Sequence, residues 1–173
     1  MKDRMKGIAE LLHRSHTSLL ETCKAFPEER WRDAPRTGAW SAAEIIGHLA
    51  SVEEAILGGM NQVASKPAVA IPIWKQFHLP SRLAAWRGFK VKTPIPLDPK
   101  LVFDKPPAIE RLKSTRRATL QFLEDNKGRD LKRYRFPHPF FGSLNLYDWL
   151  RVTSYHEVRH TKQLGDLVEM FHS

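Results

Sequence analysis

Trp40-Ser41-Ala42-Ala43-Glu44-Ile45-Ile46-Gly47-His48-Leu49 starts a helix and places a histidine on its buried side. Ser41 and Glu44 form a capping box: the serine hydroxyl accepts from the backbone of Glu44, and the Glu44 carboxylate reaches back to the Ser41 backbone. Trp40 before the cap and Ile45 after it are placed for a hydrophobic staple. Ile45, Leu49, Val52 and Ile56 then share one face, and His48 lies among them. Gly58-Gly59 weakens this helix, and Pro67 ends it at the latest.

The other decisive stretch lies near the C-terminus. Leu146, Leu150, Thr153, His156, His160, Leu164, Leu167 and Phe171 form one stripe of a helix capped by Asn145, with Asp148 in its first turn. Two further helices complete the set. The first runs from about Asp3 to Ala25 on Met5, Ile8, Leu12 and Leu19, and Pro27 stops it. The third starts near Pro106-Pro107, carries Ile109, Leu112, Leu120 and Leu123, and ends before Gly128, read as a left-handed cap. Between the second and third helices, Ser65 to Lys105 is proline-rich and holds Trp74, Phe77, Trp86 and Phe89, aromatics that need burial. A short helix over Ser81 to Phe89 is expected there, packing over one end of the bundle. No strand alternation and no internal repeat stand out. The pattern is all-α, a four-helix bundle in a single domain over residues 1–173.

His156 and His160 are four apart, about 40° around the wheel, so both imidazoles leave the helix on its core face. Three imidazoles aimed into one core, with His48, are costly unless something satisfies them. A divalent ion would, and three histidines with an open position form a known catalytic arrangement. Hydrogen bonds to neighbouring core groups or carboxylates would also do so, and spacing alone leaves both open. Glu44 lies one turn before His48 and is the candidate catalytic carboxylate beside its capping role. Glu157 sits about 100° off the ligand face and is not a ligand. Gln163, nearly on the His160 face, is placed either to hydrogen-bond behind His160 or to fill a helix contact. His78 could cap the site from the proline-rich stretch or lie on the surface. His13, His16, His138 and His172 are read as structural or exposed. Cys23 reads as a small hydrophobe.

His156-Glu157-Val158-Arg159-His160 also spells H-E-x-x-H, the metalloprotease helix in which the glutamate is general base. Only thirteen residues follow His160, leaving little room for a downstream third ligand, and no sheet for binding peptide is in sight.

The capping-box stretch resembles the start of the second helix of the DinB-like (YfiT-like) superfamily. His156 to Leu164 resembles its last-helix motif H-x-x-x-H-x-x-Q-L. His138-Pro139-Phe140-Phe141-Gly142-Ser143-Leu144 with Asp148-Trp149-Leu150 resembles the approach to that helix. The order and separations agree along the whole chain. The resemblance implies an up-down-down-up bundle, a divalent metal such as nickel or zinc on His48, His156 and His160, and frequent dimerisation. It also implies thiol S-transferase or hydrolase chemistry on a small, acidic or electrophilic molecule, with a low-molecular-weight thiol such as bacillithiol or mycothiol as co-substrate. The alternative expectation for this chain is a non-enzymatic metal-binding module for stress response or interaction. The long proline-rich insert departs from the simplest pattern and leaves the substrate open.

Composition sets the remaining bounds. One cysteine allows no intramolecular disulfide, and the N-terminus carries no signal-like apolar run, so a cytoplasmic location is expected. No apolar stretch is long enough to span a bilayer. The net charge is +9, with basic clusters at Arg111, Lys113, Arg116, Arg117 and at Lys127, Arg129, Lys132, Arg133, Arg135. A basic chain suits nucleic acid, but no recognition motif accompanies the charge, and the clusters read as a solvated helix face and loop.

Overall fold

The computed structural model describes residues 2–68 and 98–172. Its elements are α1 (Lys2–Ala25), α2 (Ala42–Ala64), α3 (Lys105–Asp125), a two-stranded hairpin of β1 (Arg135–His138) and β2 (Gly142–Asn145), and α4 (Leu146–His172). No described helix is long and apolar enough to cross a membrane. The expected helix over Ser81 to Phe89 and the aromatics of that stretch fall outside the described residues.

The caps follow from local chemistry. Glu44 N–H donates to Ser41 Oγ at 3.3 Å and Ser41 N–H donates to Glu44 Oε2 at 2.8 Å, so the capping box is complete. Asp148 N–H donates to Asn145 Oδ1 at 3.1 Å, which starts α4. One cap is otherwise than expected. Gly128 is not left-handed; Gly38 and Gly142 are the described glycines with positive φ. The chain leaves α3 through Asn126, whose backbone N–H and Nδ2 both donate to the Phe122 carbonyl, at 3.2 and 2.8 Å.

α1 packs chiefly on α4, and α2 chiefly on α3. Arg4 lies 5.2 Å from the Tyr147 ring and Phe26 meets Phe171 at 5.8 Å, so α1 and α4 run parallel. Leu49 and Leu112 share one apolar cluster with Leu19 and Leu164, whereas Met60 and Phe122 share another with Met5 and Leu146. α2 and α3 are therefore parallel to each other and opposed to the outer pair, an up-down-down-up bundle. A parallel pair needs a connection that recovers the length of a helix, about 34 Å for 23 residues. That requirement gives the long stretch between α2 and α3 a topological reason.

The two apolar clusters do not merge. Each helix interrupts its buried stripe with polar residues at the same level: Ser15 on α1, Glu53 on α2, Thr115 and Arg116 on α3, and Thr153, Ser154 and Glu157 on α4. The placement of Arg116 corrects its reading as part of a solvated basic face, since it is 2% exposed. The hairpin is a second departure from the sequence reading. Its register pairs Phe136 with Leu144 and His138 with Gly142. Gly142, at φ 74, supplies the turn conformation that other residues resist. Four-residue strands, one containing Pro137, are too short to show alternation.

The hairpin docks on α2 at Gly59. A Cβ there would approach Phe136 Cε2 to 2.9 Å, and the Phe136 ring is already stacked on Trp149 at 4.2 Å. Gly58, one residue earlier, has nothing within 4 Å of such a Cβ. Gly58→Ala is expected to raise stability in urea by about 0.5–1 kcal/mol through helix propensity. Gly59→Ala should gain nothing or lose stability. Equal gains in both variants would contradict the docking of the hairpin.

Candidate metal centre

α2 contributes His48, at the position its capping box and apolar stripe dictate. α4 contributes His156 and His160 from adjacent turns of one face. His48 and His160 are 4% and 7% exposed, and His156 is partly buried. The Nε2 atoms converge: His48 to His156 at 3.4 Å, and His156 to His160 at 3.1 Å. All three ligand atoms lie within 4.8 Å of one another. A tetrahedral ion with bonds of 2.0–2.1 Å sets its ligand nitrogens about 3.3–3.4 Å apart, so the spacing fits a small divalent cation.

The protonation states fit as well. Burial pushes His48 down to about 4. Burial first, and then the neighbouring His160 and His48, pushes His156 well below its ordinary range. Both rings are neutral near pH 7 and carry a lone pair. His160 Nδ1 lies 2.9 Å from Gln163 Oε1, an acceptor, so the proton sits on Nδ1 and Nε2 is left free to ligate. Gln163 thus takes the role expected of it behind His160.

Aromatic and apolar groups surround the triad. The Trp40 ring lies 4.8 Å from His48 and stacks on His160 at 6.2 Å with planes 18° apart. The residue expected to staple the helix also shields the imidazoles. A small cavity beside His156 is lined by Leu49, Val52, Glu53, Ile56, Thr153 and Glu157.

Glu44 is partly buried at the start of α2, and its Oε2 accepts from both the backbone and the hydroxyl of Ser41 at 2.8 Å. Glu157, the glutamate of H-E-x-x-H, is buried in a different set of partners: Arg116 Nη2 donates to Oε2 at 3.0 Å, Ser15 donates to the same oxygen, and His16 Nδ1 lies 3.0 Å from Oε1. It faces α1 and α3. His138 Nδ1 accepts from the backbone N–H groups of Phe140 and Phe141 at 3.0 and 3.2 Å and so shapes the hairpin turn. His13 and His172 are exposed, and His78 lies outside the described residues.

Sequence reasoning missed the ion cluster around Glu157. Arg116 Nε and Nη2 donate to Glu53 Oε1 and Oε2, each at 2.9 Å, and Nη1 donates to the Leu12 carbonyl at 2.6 Å. A signal was present: Arg116 is four residues after Leu112 and seven before Leu123, on the buried stripe of α3.

Cys23 is fully buried, and burial pushes its thiol up to about 12. It is inert, as its sequence position suggested. Native protein at pH 8 should leave a water-soluble thiol reagent unconsumed, with reaction appearing on unfolding. The folded thiol keeps its proton up to about 12 and the unfolded one loses it near 9.0. Stability should therefore fall as pH rises above 9.0, and fall less in Cys23→Ala. Rapid labelling of the native protein would contradict this placement.

Comparison with known proteins agrees with the fold. The uncharacterized protein YuaE of Bacillus subtilis (strain 168) is 25% identical over 147 residues, covering 84% of this chain and 88% of that protein. The crystal structure of TT2238, a four-helix bundle protein, superposes with a TM-score of 0.62 at 23% identity, covering 94% of this chain and 98% of that one. YfiT from Bacillus subtilis, described as a probable metal-dependent hydrolase with an unusual four-helix bundle topology, superposes with a TM-score of 0.67 at 15% identity, covering 99% and 90%. At these identities the two structures speak for the fold. The DinB superfamily model matches residues 11–164. The chain belongs to the DinB superfamily.

Proposed function

We propose that this protein is a metal-dependent enzyme, a hydrolase or thiol S-transferase, acting on a small electrophilic molecule at a divalent ion held by His48, His156 and His160. The observation that carries the reading is the convergence of three imidazole nitrogens, His48 and His160 buried and His156 partly so, at 3.1 and 3.4 Å. Family membership and the description of YfiT as a probable metal-dependent hydrolase support it. Nickel and zinc both suit an all-imidazole donor set.

A divalent ion bound there supplies Lewis acidity, which makes a water or thiol acidic near neutral pH. The protein's own residues do the rest. Gln163 fixes the tautomer of His160. Trp40 covers two of the rings, and Leu49, Val52 and Ile56 line the cavity beside His156, which lowers the local dielectric and strengthens charge interactions. Glu53 and Glu157 are committed to Arg116. Glu44 is committed to its cap through Oε2, so its role at the start of α2 is structural in this reading.

Tag-free protein should carry about one divalent ion per chain by elemental analysis, and His48→Ala and His160→Ala should lose it. Turnover of an ester panel, or of a thiol with an electrophile, should vanish with a chelator and return with zinc or nickel. Glu44→Gln keeps an acceptor for the cap and should retain both metal and turnover; loss of turnover with metal retained would make Glu44 the general base. Metal-loaded protein that turns over nothing across the panel would contradict the enzyme reading.

A further inference from the structure

Arg116 reaches from α3 into the middle of the bundle and holds one carboxylate from each of the helices that carry the histidines. Glu53 is on α2, five residues after His48, and its carboxylate meets Arg116 in a two-point pairing at 2.9 Å. Glu157 is on α4, between His156 and His160, and meets Arg116 Nη2 at 3.0 Å. Ser15 and His16 of α1 take up the Glu157 carboxylate from the other side, so all four helices join one network. Arg116 and Glu157 are each 2% exposed, and Glu53 4%.

The network borders the triad directly. Glu53, Glu157 and His156 line the same small cavity. A helix rotates as a unit, so holding Glu157 against α1 and α3 fixes the direction in which His156 and His160 leave α4. Holding Glu53 fixes α2 against it, and with it the distance from His48 to the other two rings.

We propose that Arg116, through Glu53 and Glu157, is a positioning residue that sets the spacing of the three histidines and thereby the affinity of the site for a divalent cation. The inference rests on the metal reading above. A network that only held the bundle in register would leave cation affinity unchanged when replaced by apolar residues of similar volume, a replacement that is often neutral or stabilising for the fold. The distinction lies in what happens to the cation. Losing a group that hydrogen-bonds to a metal ligand typically costs about 10–100-fold in affinity, and moving a ligand with its helix is expected to reach the lower end of that range.

The test compares full-length protein with Glu53→Leu/Arg116→Met/Glu157→Leu, which leaves no buried charge unpaired, and with Glu53→Gln and Glu157→Gln. Apo-protein stability is measured in urea, zinc affinity by competition with a chromophoric chelator, and ligand geometry from the visible spectrum of the cobalt(II)-substituted protein. The triple variant is expected to fold with equal or greater stability, bind zinc at least about tenfold more weakly, and show a displaced cobalt spectrum. Wild-type zinc affinity and spectrum in a folded triple variant would overturn the clamp and leave the metal site standing. Failure of the wild-type protein to bind zinc or cobalt at all would overturn both. Should the triple variant not fold, the two glutamine variants decide: displaced cobalt spectra support positioning, and unchanged ones refute it.

Discussion

A guanidinium that is 2% exposed cannot stay in a bundle core without carboxylates and carbonyls to receive its protons. Arg116 meets that demand with Glu53, Glu157 and the Leu12 carbonyl, and the rest of the structure is arranged around the resulting polar layer. Burial is the largest influence on Arg116 and works to lower its pKa, but the two carboxylates outweigh it and raise it. The apolar core is split accordingly. Met5, Ile8, Met60, Phe122 and Leu150 fill one end, and Leu19, Phe26, Ile45, Leu112 and Leu164 the other. A bundle of four long apolar stripes could slide by a turn at modest cost. A single level at which each helix must present a polar group forbids such slips, because a displaced Arg116 would be a buried charge without partners.

The histidines sit beside this layer, near its boundary with the second apolar cluster. On α4 the arrangement is compact: His156 and His160 leave one face, while Glu157, about 100° around, leaves toward α1 and α3. The literal protease motif thus divides into two jobs, imidazoles for the site and a carboxylate for the bundle. Keeping Glu157 engaged elsewhere leaves an all-nitrogen donor set, with burial holding His48 and His156 neutral near pH 7. Trp40 ties the site to the start of α2, because the residue preceding the capping serine lies over His48 and stacks on His160.

What could be read from the sequence was what depends on local spacing. The capping box at Ser41 and Glu44, the stripe that buries His48, the four-residue step from His156 to His160 and the placement of Gln163 are all set within two helical turns. The polar layer was not read because its contacts join residues 63 and 41 positions apart, and a basic residue in Arg111-Leu112-Lys113-Ser114-Thr115-Arg116-Arg117 looks like its solvated neighbours. Only its place on the Leu112 to Leu123 stripe sets Arg116 apart. The hairpin was missed for another reason: its strands have four residues each, and its stability comes from Phe136 stacking on Trp149 and docking at Gly59, neither visible in a local window. Gly128 was misread because Asn126 closes α3 first with its own side chain.

The central claim is that three imidazoles gather around one cation through Nε2. X-ray absorption at the zinc edge of the zinc-loaded protein tests it most directly. The account predicts imidazole scattering from three ligands with nitrogens at about 2.0–2.1 Å, reduced in His156→Ala. A first shell of oxygens without imidazole scattering, or one containing sulfur from Cys23, would contradict it.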